Sequence, residues 1–149
     1  MKNSLIAQLP YGKNFLFVDK IVEVSEQKII GSYYFKDHLF FYDSHFPKYA
    51  IIPGVILTEC AAQIGLACFG IFLEETKQDY MNHIVVLSES NMHFLHPVYP
   101  NQTVLVTANL VYFRFNKLKV NIEIHLPNST LIAKGSLSGM KTKIQQINA

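Results

Sequence analysis

Apolar and polar positions divide this chain into one long oily run and a series of short alternating ones. Residues 51–73, IIPGVILTECAAQIGLACFGIFL, contain one acid, Glu59, and one amide, Gln63. The run is too long for a strand and apolar on every side. It predicts a helix from about Pro53 to Glu74 or Glu75, since proline's preset φ and missing N–H suit a first turn. Glu59 and Gln63, four apart, then share a face. Ahead of the run, residues 15–24 (FLFVDKIVEV) and 28–35 (KIIGSYYF) predict two strands. Behind it, residues 83–95, 103–113, 118–126 and 130–140 predict up to four more, with an irregular centre in the first and clean alternation in 118–126. Turn-rich segments separate them: Pro10-Tyr11-Gly12, Ser25–Gln27, a polar loop at 76–82, His96–Asn101 and Pro127–Ser129. With no repeat or linker, residues 1–149 are expected to form a single domain. A helix hydrophobic all round needs cover on most sides. The expectation is an α+β fold, a curved antiparallel sheet wrapped around a long central apolar helix, with a second copy closing the remaining face.

The same run is long enough to cross a bilayer. Glu59 and Gln63 near its middle, and the lack of a second such segment, favour a core helix, so no membrane association is expected.

Composition narrows the classes. Half of the residues are hydrophobic and 16% are charged, which argues for a folded core and against disorder. A formal charge of +2 without a basic run excludes nucleic acid as an expected partner. The late cations Arg114, Lys117, Lys119, Lys134, Lys141 and Lys143 read as a solvated surface or as a modest rim for an acidic partner. Cys60 and Cys68 would lie about 12 Å apart on one helix, too far to bridge. They read as small buried hydrophobes in a reducing compartment. The first residues lack the apolar core of a signal peptide, so a cytoplasmic location is expected.

The six histidines form no HxxxH pair, and the two cysteines form no CxxC, so no metal is expected. GxSxG, phosphate-binding and dinucleotide fingerprints are missing as well. His83, His93, His96 and His125 read as ordinary strand or surface residues. His45 differs, because Phe46-Pro47 and Pro53-Gly54 constrain the backbone between it and the helix. A histidine can take a proton near neutral pH. A glutamate in an apolar helix stays protonated more readily. Together they suit proton abstraction at one carbon and proton delivery to a leaving group, and the Gly54 N–H at the helix start could stabilise an enolate oxygen. The other reading, a capped helix with one buried and hydrogen-bonded Glu59, fits the residues equally well.

HFPKYAIIPGVILTECAAQ resembles the active-site segment of FabZ-type 3-hydroxyacyl-acyl-carrier-protein dehydratases. That family's hallmark is His-Phe-Pro, then Pro-Gly, a Glu fourteen residues after the His, and a Gln four further on. Here these are His45-Phe46-Pro47, Pro53-Gly54, Glu59 and Gln63. Leu9-Pro10 followed by FLFVDKI, and HPVYPNQTVLV, also resemble family segments. The likeness spans roughly residues 9–140.

The resemblance implies a hotdog fold and dimers whose sites lie between subunits, possible further assembly into trimers of dimers, or pairing with a homologue. It implies that His45 abstracts the α-proton of a (3R)-3-hydroxyacyl thioester and that Glu59 protonates the departing hydroxyl. Gly54 would polarise the carbonyl and Gln63 would orient Glu59. The substrate would be carried on the phosphopantetheine of an acyl carrier protein, and no cofactor would be needed. Phe41, Phe46, Tyr49 and Ile52 are candidate tunnel residues. The aromatics here serve either as plain core or to accommodate an unsaturated or aryl-ended chain of a polyene pathway.

The chain departs from the family at Ser44 and Lys48, where glycines are usual, at Ala50, usually proline, and at Tyr11-Gly12-Lys13-Asn14, usually His-Arg-Tyr-Pro. A hotdog thioesterase and a non-catalytic hotdog subunit are the alternatives.

Overall fold

The computed structural model describes residues 2–75 and 83–143. Six strands, β1 (Lys20–Val24), β2 (Lys28–Tyr34), β3 (His83–Phe94), β4 (Thr103–Arg114), β5 (Lys117–His125) and β6 (Leu131–Lys143), form one sheet in the order β1-β2-β4-β5-β6-β3. Every neighbouring pair is antiparallel. A short helix, α1 (Lys2–Ala7), precedes them, and the long helix α2 (Gly54–Glu74) lies against the sheet. The loop expected at 76–82 lies outside the described residues.

Alternation explains the sheet's two faces. In β5, Leu118, Val120, Ile122 and Ile124 are buried while Asn121 and Glu123 are exposed. Val104, Val106 and Ala108 of β4 join them under the helix. α2 is long and apolar enough to resemble a membrane span, and most of it is buried here as the core helix. It comes unusually close to the sheet. A Cβ on Gly65 would sit 3.0 Å from both Ala108 Cβ and Ile122 Cδ1, so the absence of a side chain sets the helix–sheet distance. At the far end of α2 a partly buried ion pair, Lys141 Nζ to Glu74 Oε2 at 3.1 Å, ties the helix to β6. Cys60 and Cys68 are both buried free thiols.

Three elements differ from the sequence reading. α1 was not expected; its six residues are too few to show a helical period. Ladder pairing in the first strand begins at Lys20, five residues later than expected, because the peptides of Phe15 and Phe17 bond to a helix side chain. Third, α2 opens into a π-helical stretch at Gln63–Cys68. The irregular centre expected in β3 is a register shift between Leu87 and Glu89.

β3 is an edge strand with Val86, Leu87 and Phe94 exposed. A Cβ on Gly135 of β6 would collide with the Asn91 carbonyl of β3. Gly135→Val is therefore expected to push β3 off the sheet, destabilising the protein by about 2–3 kcal/mol in denaturant unfolding. A loss below 0.5 kcal/mol, on the order of a surface substitution, would mean β3 yields without cost.

Candidate active site

The loop before α2 is held from two sides. The Ile52 N–H donates to the Val98 carbonyl at 2.8 Å, and the His45 N–H donates to the Phe41 carbonyl at 3.0 Å. Leu95 and His96 N–H groups both bond the Ile132 carbonyl, which brings 95–97 alongside. Between these segments lies a groove of about 420 Å³, lined by His45, Phe46, Ile52, Gly54, Phe94 and His96 among others.

His45 Nδ1 lies 3.0 Å from the Ile51 carbonyl oxygen. A carbonyl only accepts, so in the neutral ring Nδ1 carries the proton and Nε2 keeps its lone pair. The Phe46 ring packs at 4.3 Å from the imidazole. Phe46 has φ +57°, in the left-handed region that bulky residues avoid, at a cost of roughly 1–3 kcal/mol. Ser44, Lys48 and Ala50 are not among the positive-φ residues, so the missing family glycines cost no backbone strain; the strain sits on Phe46.

Pro53 caps α2 without a side-chain hydrogen bond, which leaves the first-turn N–H of Gly54 pointing out of the helix end beside the groove. A Cβ on Gly54 would meet only the Phe94 ring at 3.4 Å, an ordinary contact.

Glu59 faces elsewhere. It follows Gly54 by five residues and the groove residue Leu57 by two, which places it about 140° and 200° round the helix from them. Its Oε2 accepts a hydrogen bond from Gln63 Nε2 at 2.9 Å. The same Nε2 donates to the Phe15 carbonyl at 2.9 Å, and Gln63 Oε1 accepts the Phe17 N–H at 2.8 Å. One side-chain amide thus takes the place of a neighbouring strand for residues 15–17. These two backbone bonds also fix the orientation of the amide, so a proton on Glu59 resides on Oε1. Burial raises the Glu59 carboxyl above its ordinary value, and the bond from Gln63 only partly opposes this.

Of the candidate tunnel residues, Phe46 and Ile52 line the groove with His45. Phe41 packs in the core with its ring 6.5 Å from Phe17, and Tyr49 is 73% exposed. Phe94, His96 and Pro97 line the groove and were not anticipated as site residues. The nearest signal was the HPV turn, whose family counterpart was matched for its backbone rather than its side chains. Of the late cations, Lys141 is engaged by Glu74 and Arg114 lies over the Tyr112 ring at 4.6 Å, so the six do not form one free rim. Among the described residues no cluster of three or more potential ligands could hold a metal.

A curved antiparallel sheet packed on one long helix, with a histidine groove at the helix start, defines a hotdog protein. The family model for ApeI-like dehydratases (ApeI dehydratase) matches residues 21–135, and the chain belongs to that family. It is 28% identical over 140 residues to the 3-hydroxyacyl-acyl-carrier-protein dehydratase FabZ of Ehrlichia chaffeensis, covering 91% of each chain. Two solved structures share the fold. One is the dehydratase heterocomplex ApeI:P of Xenorhabdus doucetiae (TM-score 0.74, 13% identity, 93% of this chain and 91% of that one). The other is a thioesterase of Haemophilus influenzae (TM-score 0.63, 19% identity, 85% and 80%). Dehydratases and thioesterases share this architecture, so the fold alone does not choose between them.

Proposed function

We propose that the protein is a FabZ-type dehydratase that converts (3R)-3-hydroxyacyl thioesters on an acyl carrier protein to trans-2-enoyl thioesters and water. Support comes from a histidine whose Nδ1 is bound so that Nε2 keeps its lone pair, and from a carboxyl that burial raises above its ordinary value, in a chain of a dehydratase family. In this reading His45 Nε2 removes the α-proton, and the thioester oxygen takes up charge against the Gly54 N–H. Glu59 Oε1 then delivers a proton to the departing 3-hydroxyl. No cofactor enters, because the thioester itself acidifies the α-carbon.

The two groups lie on opposite sides of one helix, which supports sites assembled from two subunits: His45 of one protomer works with Glu59 of the partner subunit. The exposed apolar edge of β3 and the exposed Val55 and Leu95 suit a homodimer or a pairing with a homologous chain. Phe46 and Phe94 at the groove suit a flat, unsaturated acyl chain of a polyene type.

The test is purified protein with 3-hydroxyacyl- and enoyl-carrier protein, following enoyl absorbance and free carrier thiol. Enoyl turnover without thiol release is expected. Thiol release would instead identify a thioesterase, and silence at every chain length a non-catalytic subunit. Shared sites make a second prediction. Mixing His45→Asn with Glu59→Gln protein and allowing subunits to exchange should restore about a quarter of wild-type activity, since half of the dimers would be mixed and each would hold one intact site. No recovery after verified exchange would place both groups of a site in one chain.

A further inference from the structure

The β4–β5 hairpin ends in a side chain that the fold does not use. Arg114 and Lys117 pair across the ladder, so Phe115 and Asn116 form a two-residue turn. Both take positive φ, +51° and +62°. A tight hairpin demands this, and asparagine and glycine meet the demand at little cost. Asn116 fits that rule. Phe115 does not, because a bulky residue is strained in the left-handed region. Packing does not offset the strain: Phe115 is 93% exposed, more than any other large hydrophobic among the described residues.

The surroundings of the ring are basic. Arg114 and Lys117 flank it and Lys119 follows, with exposed Met140 opposite Lys117 in the ladder. The Arg114 guanidinium lies over the Tyr112 ring at 4.6 Å. From Thr103 to Ala149 the sequence holds six cations and one acid, Glu123. That acid faces Lys134 in register, and six residues of strand put it about 20 Å from Lys117. The other described acids at this end are Glu74, engaged by Lys141, Glu75 at the close of α2, and Glu89 opposite Ser138. Among the described residues Arg114, Lys117 and Lys119 form no ion pair. The Lys141 N–H donates to the Asn116 carbonyl at 2.7 Å, which sets the tip beside the finish of α2. The His45 groove lies at the start of that 21-residue helix, about 30 Å away.

We propose that the β4–β5 hairpin tip is a peripheral contact for an anionic lipid surface. Phe115 enters the acyl boundary while Arg114, Lys117 and Lys119 meet the headgroups. An exposed ring among cations matches such a surface, which is negative outside and apolar just beneath. A carrier protein is the less suited occupant, because it has to dock where a groove opens, and this protomer's groove opens at the other end of α2. The contact involves no membrane span: α2 stays in the core, and the dehydration chemistry is not needed for it.

Co-sedimentation of the full chain with vesicles tests the contact, comparing equal parts phosphatidylglycerol and phosphatidylcholine with phosphatidylcholine alone. Wild-type protein should bind the anionic vesicles and be released from them as salt rises. Phe115→Gly should weaken binding about tenfold, the scale of withdrawing one aromatic side chain from an apolar phase. Lys117→Gln should weaken it about fivefold. Glycine accepts positive φ, so Phe115→Gly should keep or raise Tm, which separates lost binding from lost folding. Equal affinity for both vesicle types, or anionic binding that Phe115→Gly leaves intact, would overturn the proposal. So would a Phe115→Gly protein that changes in carrier-protein affinity or oligomer size instead of vesicle binding.

Discussion

His45→Asn and Glu59→Gln are each expected to reduce enoyl formation by about 10³-fold, within the range for loss of a general base or acid. Both replacements spare the fold. In His45→Asn the shorter side-chain amide can still donate to the Ile51 carbonyl that receives Nδ1–H in the wild type. In Glu59→Gln the new amide oxygen can still accept from Gln63 Nε2. Thermal unfolding and oligomer size should therefore match the wild type while turnover is lost. In the active protein, dehydration should fail as pH rises, because Glu59 loses its proton. Burial moves that limb above the ordinary carboxylate range. Either variant retaining more than about a tenth of the activity would remove that residue from the chemistry, since even a modest acid or base is worth about 10²-fold.

Gln63→Leu should be the most damaging change among the helix polar residues, and it should act on stability and turnover together. Leucine fills a similar volume but strands the Phe17 N–H and the Phe15 carbonyl beside the core, where Phe17 is 1% exposed. Two unsatisfied backbone groups at about 1–3 kcal/mol each put the loss near 3 kcal/mol. For a domain of this size that corresponds to a fall in Tm of roughly 6–12 °C. Glu59 would lose its only hydrogen bond among the described residues, so kcat should fall beyond what destabilisation explains. Denaturant unfolding beside kcat at a temperature where the variant is folded separates the two effects. A loss under about 1 kcal/mol would mean that residues 15–17 find other partners, since it is below the usual penalty of one stranded group.

Much of the fold follows from local periodicity. Alternation placed β4, β5 and β6 within a few residues, and the oily run with its Pro-Gly start placed α2 to within one residue at its beginning. Side-chain period and turn chemistry are properties of neighbouring residues, so they can be read in order along the chain. The late start of β1 could not be read this way. FLFVD has strand composition, but its peptides bond to an amide 46 and 48 residues further along. The π stretch at Gln63–Cys68 has no local signature either, because a single widened turn leaves the run apolar on all sides. Phe46 is a third case: the residue before a proline is expected in extended backbone, and here it takes a positive φ.

The site divides along the same line. By itself the sequence determined the chemical cast: a histidine, a Pro-Gly helix start, and an acid with an amide one turn later. It did so because spacing along one helix and one short loop is local information. Only the tertiary structure decided how the cast is arranged. It turned Glu59 to the side of α2 away from the His45 groove, so that one chain does not bring the pair together. It showed that Gln63 bridges Glu59 to the 15–17 segment, and it brought Phe94 and His96 to the His45 groove. Those relations depend on how a sheet closes on a helix and on which long-range hydrogen bonds the buried peptides find. Neither is encoded in the spacing of adjacent residues.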